Sequence, residues 1–94
     1  MKIHRLKLKI EFCDAILDKE KSFEIRKNDR NFENGDLIQF SPCINECADS
    51  LVHHEVEKHT YKITYVLNGW GLKDGFVAFA IKEVSYADNG TISR

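Results

Sequence analysis

The 94-residue sequence has no apolar run approaching the ~18 residues that a membrane-spanning helix needs, so no such span is expected. Its first ten residues, MKIHRLKLKI, alternate charge with apolarity and lack the continuous apolar core of a secretory signal. Cysteine is scarce as well. Three residues, an odd number in no dense framework, suit a reducing compartment better than a disulfide-stapled secreted domain, and a cytoplasmic protein is expected. Without export, the glycosylation sequon Asn89-Gly90-Thr91 is a chance match. No G-x-x-x-x-G-K-[ST] loop or strand–G-x-G-x-x-G–helix unit is present, so Gly69, Gly71 and Gly75 around Trp70 read as turn glycines and not as a phosphate loop.

What is present is a single domain's worth of chain. At this size folding hides only about two-thirds of the surface of the open chain, which permits one modest core. With 43% hydrophobic and 31% charged residues the composition is that of a globular protein. The net charge of −1 conceals an asymmetry: residues 1–30 hold nine Lys/Arg against six acids, and residues 31–94 hold five against nine. A basic third of this kind can present a local patch to phosphate, although a solvated mixed surface fits the same charges.

Periodicity gives five strands and one early helix. Leu6, Leu8 and Ile10 share one face of a strand, with Arg5, Lys7 and Lys9 on the other. EFCDAILDKEK follows with Cys13, Ile16, Leu17 and Glu20 at helical spacing and Phe12 widening the apolar stripe, which predicts a helix near residues 11–19. In EKSFEIRKNDR, Phe23 and Ile25 alternate with Ser22, Glu24 and Arg26; the apolar pair is expected to face helix and core, and the charged set the opposite side. NDRNFENGD ends that strand with turn chemistry. A third strand runs over Leu37–Phe40 and is stopped by Pro42. Residues 43–58 fit either a helical turn around Ile44, Cys47 and Leu51 or an irregular loop. TYKITYVL and the nearly all-apolar FVAFAIKEV are strands joined by the glycine-rich NGWGLKDG, the second of them central; residues 87–94 fray. The expected fold class is α+β: a small, curled, mostly antiparallel β-barrel with a short helix after the first strand, in one domain over residues 1–94.

Three groups of residues carry candidate chemistry. Cys43, Cys47, His53, His54 and His59 are zinc-type donors, but Cys43-x₃-Cys47 and His53-x₅-His59 meet the usual ligand spacings only loosely, and the loop-or-core reading is preferred; no metal or other cofactor is expected. Cys13, on the apolar face of the helix with no cation placed beside it by spacing, reads as core and not as a nucleophile. Trp70 fits a hydrophobic plug in the barrel rim, or a platform on which a base stacks. Glu24 and Arg26, roughly 7 Å apart at Cα on one strand face, form either a plain surface ion pair or charge held in a cleft.

KEKSFEIRKNDRNFENGD resembles the signature of the ASCH-type domains of the PUA-like superfamily, a Gly-Lys-Lys-x-x-Glu-x-Arg pattern after the first helix with a Gly-Asp shortly beyond. MKIHRLKLKIEF, Gly35-Asp36 and KITYVLNGWGLKDGFVAFAIK extend the likeness to a bacterial and phage subgroup of unassigned function. The resemblance implies a small β-barrel with flanking helices and a cleft for RNA or modified nucleosides lined by the signature residues. Carried over, the pattern's second lysine is Lys21, its glutamate Glu24 and its arginine Arg26, while Lys19 stands where the pattern has glycine. Some such domains are implied to be amidohydrolases of acylated cytidine, with threonine at the Glu24 position, and others ribonucleases. A carboxylate beside a lysine favours the ammonium over the free amine that a nucleophile needs, which argues against the amidohydrolase.

The expected function is therefore a module binding RNA or a nucleotide-like ligand, with Lys21, Arg26, Lys27 and Arg30 meeting phosphate, Glu24 accepting bonds from a base edge, and Ser22 and Trp70 as further ligand-binding candidates. The alternatives are a small hydrolase of modified nucleosides or RNA, in which Lys21 and Glu24 are the catalytic pair, and a protein-interaction domain in which the signature only shapes the fold.

Overall fold

The computed structural model describes residues 1–45 and 50–84. Strand β1 (Ile3–Lys9) leads directly into helix α1 (Ile10–Leu17), followed by β2 (Phe23–Lys27), β3 (Leu37–Cys43), a 3₁₀ turn at Glu55–Lys58, β4 (Thr60–Asn68) and β5 (Phe76–Glu83). The strands form one curled sheet, a half-barrel, in the order β1-β3-β4-β5-β2. β1 and β3 pair in parallel, and the other three pairs are antiparallel. The fold class is thus the expected small α+β domain with its short helix after the first strand. β5 is internal, and β1 and β2 are the two edges.

The core fills the concave side. His4, Leu6 and Leu8 of β1 alternate inward as their period of two requires, while Ile3, Arg5 and Lys7 point out. Cys13 and Ile16 of α1 meet them together with Ile38, Phe40, Ile63, Val77 and Phe79. Phe32, from the loop between β2 and β3, is driven into this core against His4 and Phe79, with ring centroids 4.7 and 4.8 Å away. Asp36 fastens the same loop. It accepts bonds from the backbone N–H of Lys2 and Glu33 and lies 2.8 Å from His4 Nε2, while Gly35 before it takes a φ of +96° that favours glycine. Burial alone would raise the Asp36 carboxyl, but the bonds from His4 and the two backbone donors outweigh it and hold the carboxyl below its ordinary 3.8.

Two sequence expectations are corrected here. Pro42 lies inside β3 and does not stop it, because its carbonyl accepts from Val52 N on the side away from β1; the N–H that proline lacks belongs to no ladder. β2 also presents the opposite face. Glu24 is 4% exposed and points into the half-barrel, whereas Phe23 (48% exposed) and Ile25 (53% exposed) lie outside, across from Ala80 and Ala78 of β5. A period of two fixes which residues share a face; which face is buried is decided by the neighbours. Residues 43–58 hold a bridge between Cys43 and Leu51 and the 3₁₀ turn, while the expectations for Cys47 and for a frayed tail at 87–94 lie outside the described residues.

Candidate functional site: the cleft between the sheet edges

Among the described residues the sheet does not close. Ile81 N bonds Ser22 O and Asn28 N bonds Gly75 O, so the even-numbered residues of β2 pair with β5, and the backbone groups of Phe23, Ile25 and Lys27 face away from it. They look across a gap toward the free edge of β1. Two arginine side chains bridge that gap: Arg26 Nη2 donates to Lys7 O at 2.6 Å, and Arg30 Nη1 donates to Arg5 O at 3.2 Å. A cleft of about 560 Å³ opens along the seam, floored by Leu6, Leu8 and Phe32 and rimmed by Phe12 and Phe23. That volume falls within the range of small-molecule sites.

At the head of the cleft Lys21, Glu24 and Arg26 form a clamp. Glu24 Oε2 accepts from Lys21 Nζ at 2.5 Å, and Oε1 accepts from Arg26 Nε at 2.9 Å, one cation on each oxygen. Lys21 also donates to Phe23 O at 2.9 Å, and its ammonium lies 4.8 Å from the Phe23 ring centroid and 5.3 Å from that of Phe12. A buried carboxylate is costly unless paired, and here the pairing is two-fold. The clamp in turn fixes the directions of both cations, which leaves Arg26 free to reach β1.

The structure brings Lys21, Glu24, Arg26, Lys27 and Arg30 to one cleft. Ser22 faces a different hollow, on the other side of Lys21. Trp70 is 88% exposed at the tip of the β4–β5 hairpin and does not line the cleft, so it is no rim plug. Among the zinc-type donors, Cys43 is buried at the end of β3, His54 Nε2 lies 2.7 Å from Asp14, His59 Nδ1 lies 2.5 Å from Glu83, and His53 is exposed; no group of three or more possible ligands gathers among the described residues. Cys13 is fully buried, and burial, followed by Cys43, Asp14 and Glu24, pushes its thiol up to about 11, so it is no thiolate nucleophile. Sequence reasoning missed Lys7, Lys9, Phe12 and Phe23 as cleft residues. The alternation of RLKLK had already put the two lysines on one face, but nothing local said that this face borders a seam.

Residues 3–81 match the family described as Domain of unknown function (DUF3850). The chain belongs to this family. A stretch of 37 residues is 46% identical to an uncharacterized 12.9 kDa protein of Escherichia phage P2, covering 39% of this chain and 34%, about a third, of that relative's length. The DUF3850 chain also resembles the crystal structure of hypothetical protein PH0355, with a TM-score of 0.57 and 20% identity over 89% of this chain and 100% of that one. At that identity the likeness shows a shared fold. The seam, the clamp and the rim must then be read from this chain's own residues. No helix among the described residues is long and apolar enough to cross a membrane.

Proposed function

We propose that the chain is an ASCH-type, PUA-like domain whose cleft binds RNA or a nucleotide-like ligand, a modified nucleoside included. The charge and aromatic content of the cleft carries this reading. Among the described residues its lining holds Lys7, Lys9, Lys21, Arg26, Lys27 and Arg30 against Glu24 and Asp29, and two half-exposed phenylalanines stand at its rim. Cations placed along a groove beside accessible rings are what a single strand needs, phosphates meeting the lysines and arginines while a base stacks on Phe12 or Phe23. The K-x-x-E-x-R strand and the curled half-barrel support the family part of the reading. Both oxygens of Glu24 already hold a cation, so the carboxylate acts as the anchor that aims Lys21 and Arg26, and its spare lone pairs are what a base edge would meet.

The Lys21–Glu24 contact also keeps the hydrolase alternative in play, and one experiment separates the two. Wild type and Glu24→Gln are incubated with single-stranded RNA and with acylated cytidine, and affinity and product are followed in parallel. The module reading expects RNA binding by both proteins, with altered preference in the variant, and turnover by neither. Turnover by wild type that Glu24→Gln lowers on the order of 10²–10⁴-fold while ligand still binds would establish a general base and replace the module by an enzyme. An absence of binding at low salt to a varied oligonucleotide pool would leave the protein-interaction reading.

A further inference from the structure

The convex face of the sheet, turned away from the core, carries an apolar trough. Phe23 and Ile25 of β2 lie across from Ala80 and Ala78 of β5, and on the other flank of β5 the same two alanines lie across from Tyr65 and Leu67 of β4. Both ridges are apolar, and the floor between them is alanine. Phe23, Ile25 and Tyr65 are 48%, 53% and 63% exposed, which leaves the ridges open to a partner. We propose that this trough is a docking surface for one amphipathic helix of a partner protein, its apolar stripe laid over Ala78 and Ala80 and acidic residues at both of its ends.

Three observations carry the proposal. The first is a bulge. The register of β4 on β5 shifts between Ile63 and Tyr65, so Thr64 is an extra residue. Without it the inward parity of Ile63 would carry Tyr65 into the core; with it Tyr65 and Leu67 turn outward, while Val66 packs against the core. The second is charge. At one end of the trough Lys62 lies directly across from Lys82, a like-charge cross-strand pair that works against the sheet. At the other end Lys27 lies across from Phe76, and Lys73 Nζ is 5.9 Å from the centroid of the Phe76 ring. Among the described residues none of these four lysines has an ion-pair partner, and Asp74 beside Lys73 pairs with none of them. An apolar floor with unneutralised cations at its two ends is complementary to an apolar stripe with acidic ends. A second copy does not fit, because its own lysines would meet these whether its strands ran parallel or antiparallel to β5. A nucleic-acid strand would need cations along the trough and not only at its ends. The third is size. The ridges stand two strand spacings apart, about 10 Å, which is the width of a helix. The distance along β5 from Phe76 to Lys82 is about 20 Å, which corresponds to about 13 residues of helix.

The test titrates three stapled helical peptides of about 14 residues into the ¹⁵N-labelled chain, with amide shifts followed by NMR. One has a leucine stripe and two glutamates at each end, the second has the same stripe with lysines at the ends, and the third is the glutamate peptide with its stripe scrambled. In wild type, saturable shifts are expected at Tyr65, Leu67, Ala78 and Ala80 with the first peptide, and about tenfold weaker binding with the other two. Ala78→Gln, which raises a polar side chain from the floor, should weaken the first peptide about tenfold. Lys82→Glu gives Lys62 an acidic neighbour and should cut the preference for glutamate over lysine ends to about threefold. Absence of saturable shifts in wild type, equal affinity for the scrambled peptide, wild-type affinity in Ala78→Gln, or an undiminished preference in Lys82→Glu would each overturn the docking surface. So would shifts on this face produced by raising the protein concentration alone, the mark of a second copy, or by single-stranded RNA.

Discussion

Asp36 offers a sharp test of how the seam-side loop is held. Its carboxylate, 2% exposed, is the common acceptor for His4 Nε2 and for the backbone N–H of Lys2 and Glu33. Asp36→Ala leaves the buried His4 without its partner, an unmade bond worth about 1–3 kcal/mol, and removes two charge-assisted bonds whose donors water can partly re-solvate. The sum is about 3–5 kcal/mol, the usual cost of breaking a buried charged contact and a large share of a small domain's total stability of roughly 5–15 kcal/mol. Because Phe32 and the β2–β3 loop hang on the same ties, the loss should appear as one cooperative shift of the urea midpoint with an unchanged slope. The pH dependence has a definite sign. The folded carboxyl lies below its ordinary 3.8, so its contribution is complete above that value and is lost as pH falls through the lower, folded one. Wild type should therefore lose more stability than Asp36→Asn between pH 5 and the onset of acid unfolding. A cost below about 1 kcal/mol for Asp36→Ala, or parallel acid curves for wild type and Asp36→Asn, would refute the reasoning.

Other outcomes follow from the same geometry. Lys7, Lys9, Lys27 and Arg30 line the cleft without an acidic partner among the described residues, so a strand that engages all four should bind with a log–log salt slope of about −3, and Arg30→Ala should flatten it by about 0.7; a slope near zero would exclude phosphate contact. Arg26→Lys keeps the charge, but one ammonium cannot serve both Glu24 and the carbonyl of Lys7, and a loss of about 1–2 kcal/mol in urea unfolding is expected, with unchanged stability showing the bridge to be idle. Cys13 and Cys43 are fully buried, and the Cys13 thiol is pushed up to about 11, so both should resist a thiol reagent at pH 8 and react on unfolding; prompt native labelling of either would contradict the packing.

The sequence announced what is local. The alternation of β1, the apolar stripe of α1 and the β-branched run of β4 each follow from side-chain period and propensity, and those elements stand where expected. Gly35-Asp36 was visible as a turn, yet its larger duty, tying β1 to the β2–β3 loop through His4, joins residues 32 positions apart and leaves no local trace. β2 shows the limit most clearly. Hydrophobicity alone turns Phe23 and Ile25 inward; the outcome is reversed because Lys21 and Arg26 compensate the buried Glu24, and the small side chains of Ala78 and Ala80 leave a shallow bed for the phenylalanine and isoleucine outside. The positive patch was legible as a sum over residues 1–30, but its focusing into a cleft depends on β2 crossing to the far edge of the sheet to face β1. Phe12 was counted as core for the same reason.

In a closed barrel, strand number and stagger set the diameter, so the interior changes only in steps. Here the last join in the circumference is made by arginine side chains with several rotatable bonds each, and the gap between β1 and β2 can widen or narrow continuously without breaking a single backbone ladder. The aperture is thus set by two side chains and not by topology. Shorter or longer residues at positions 26 and 30 would retune its width on an unaltered sheet.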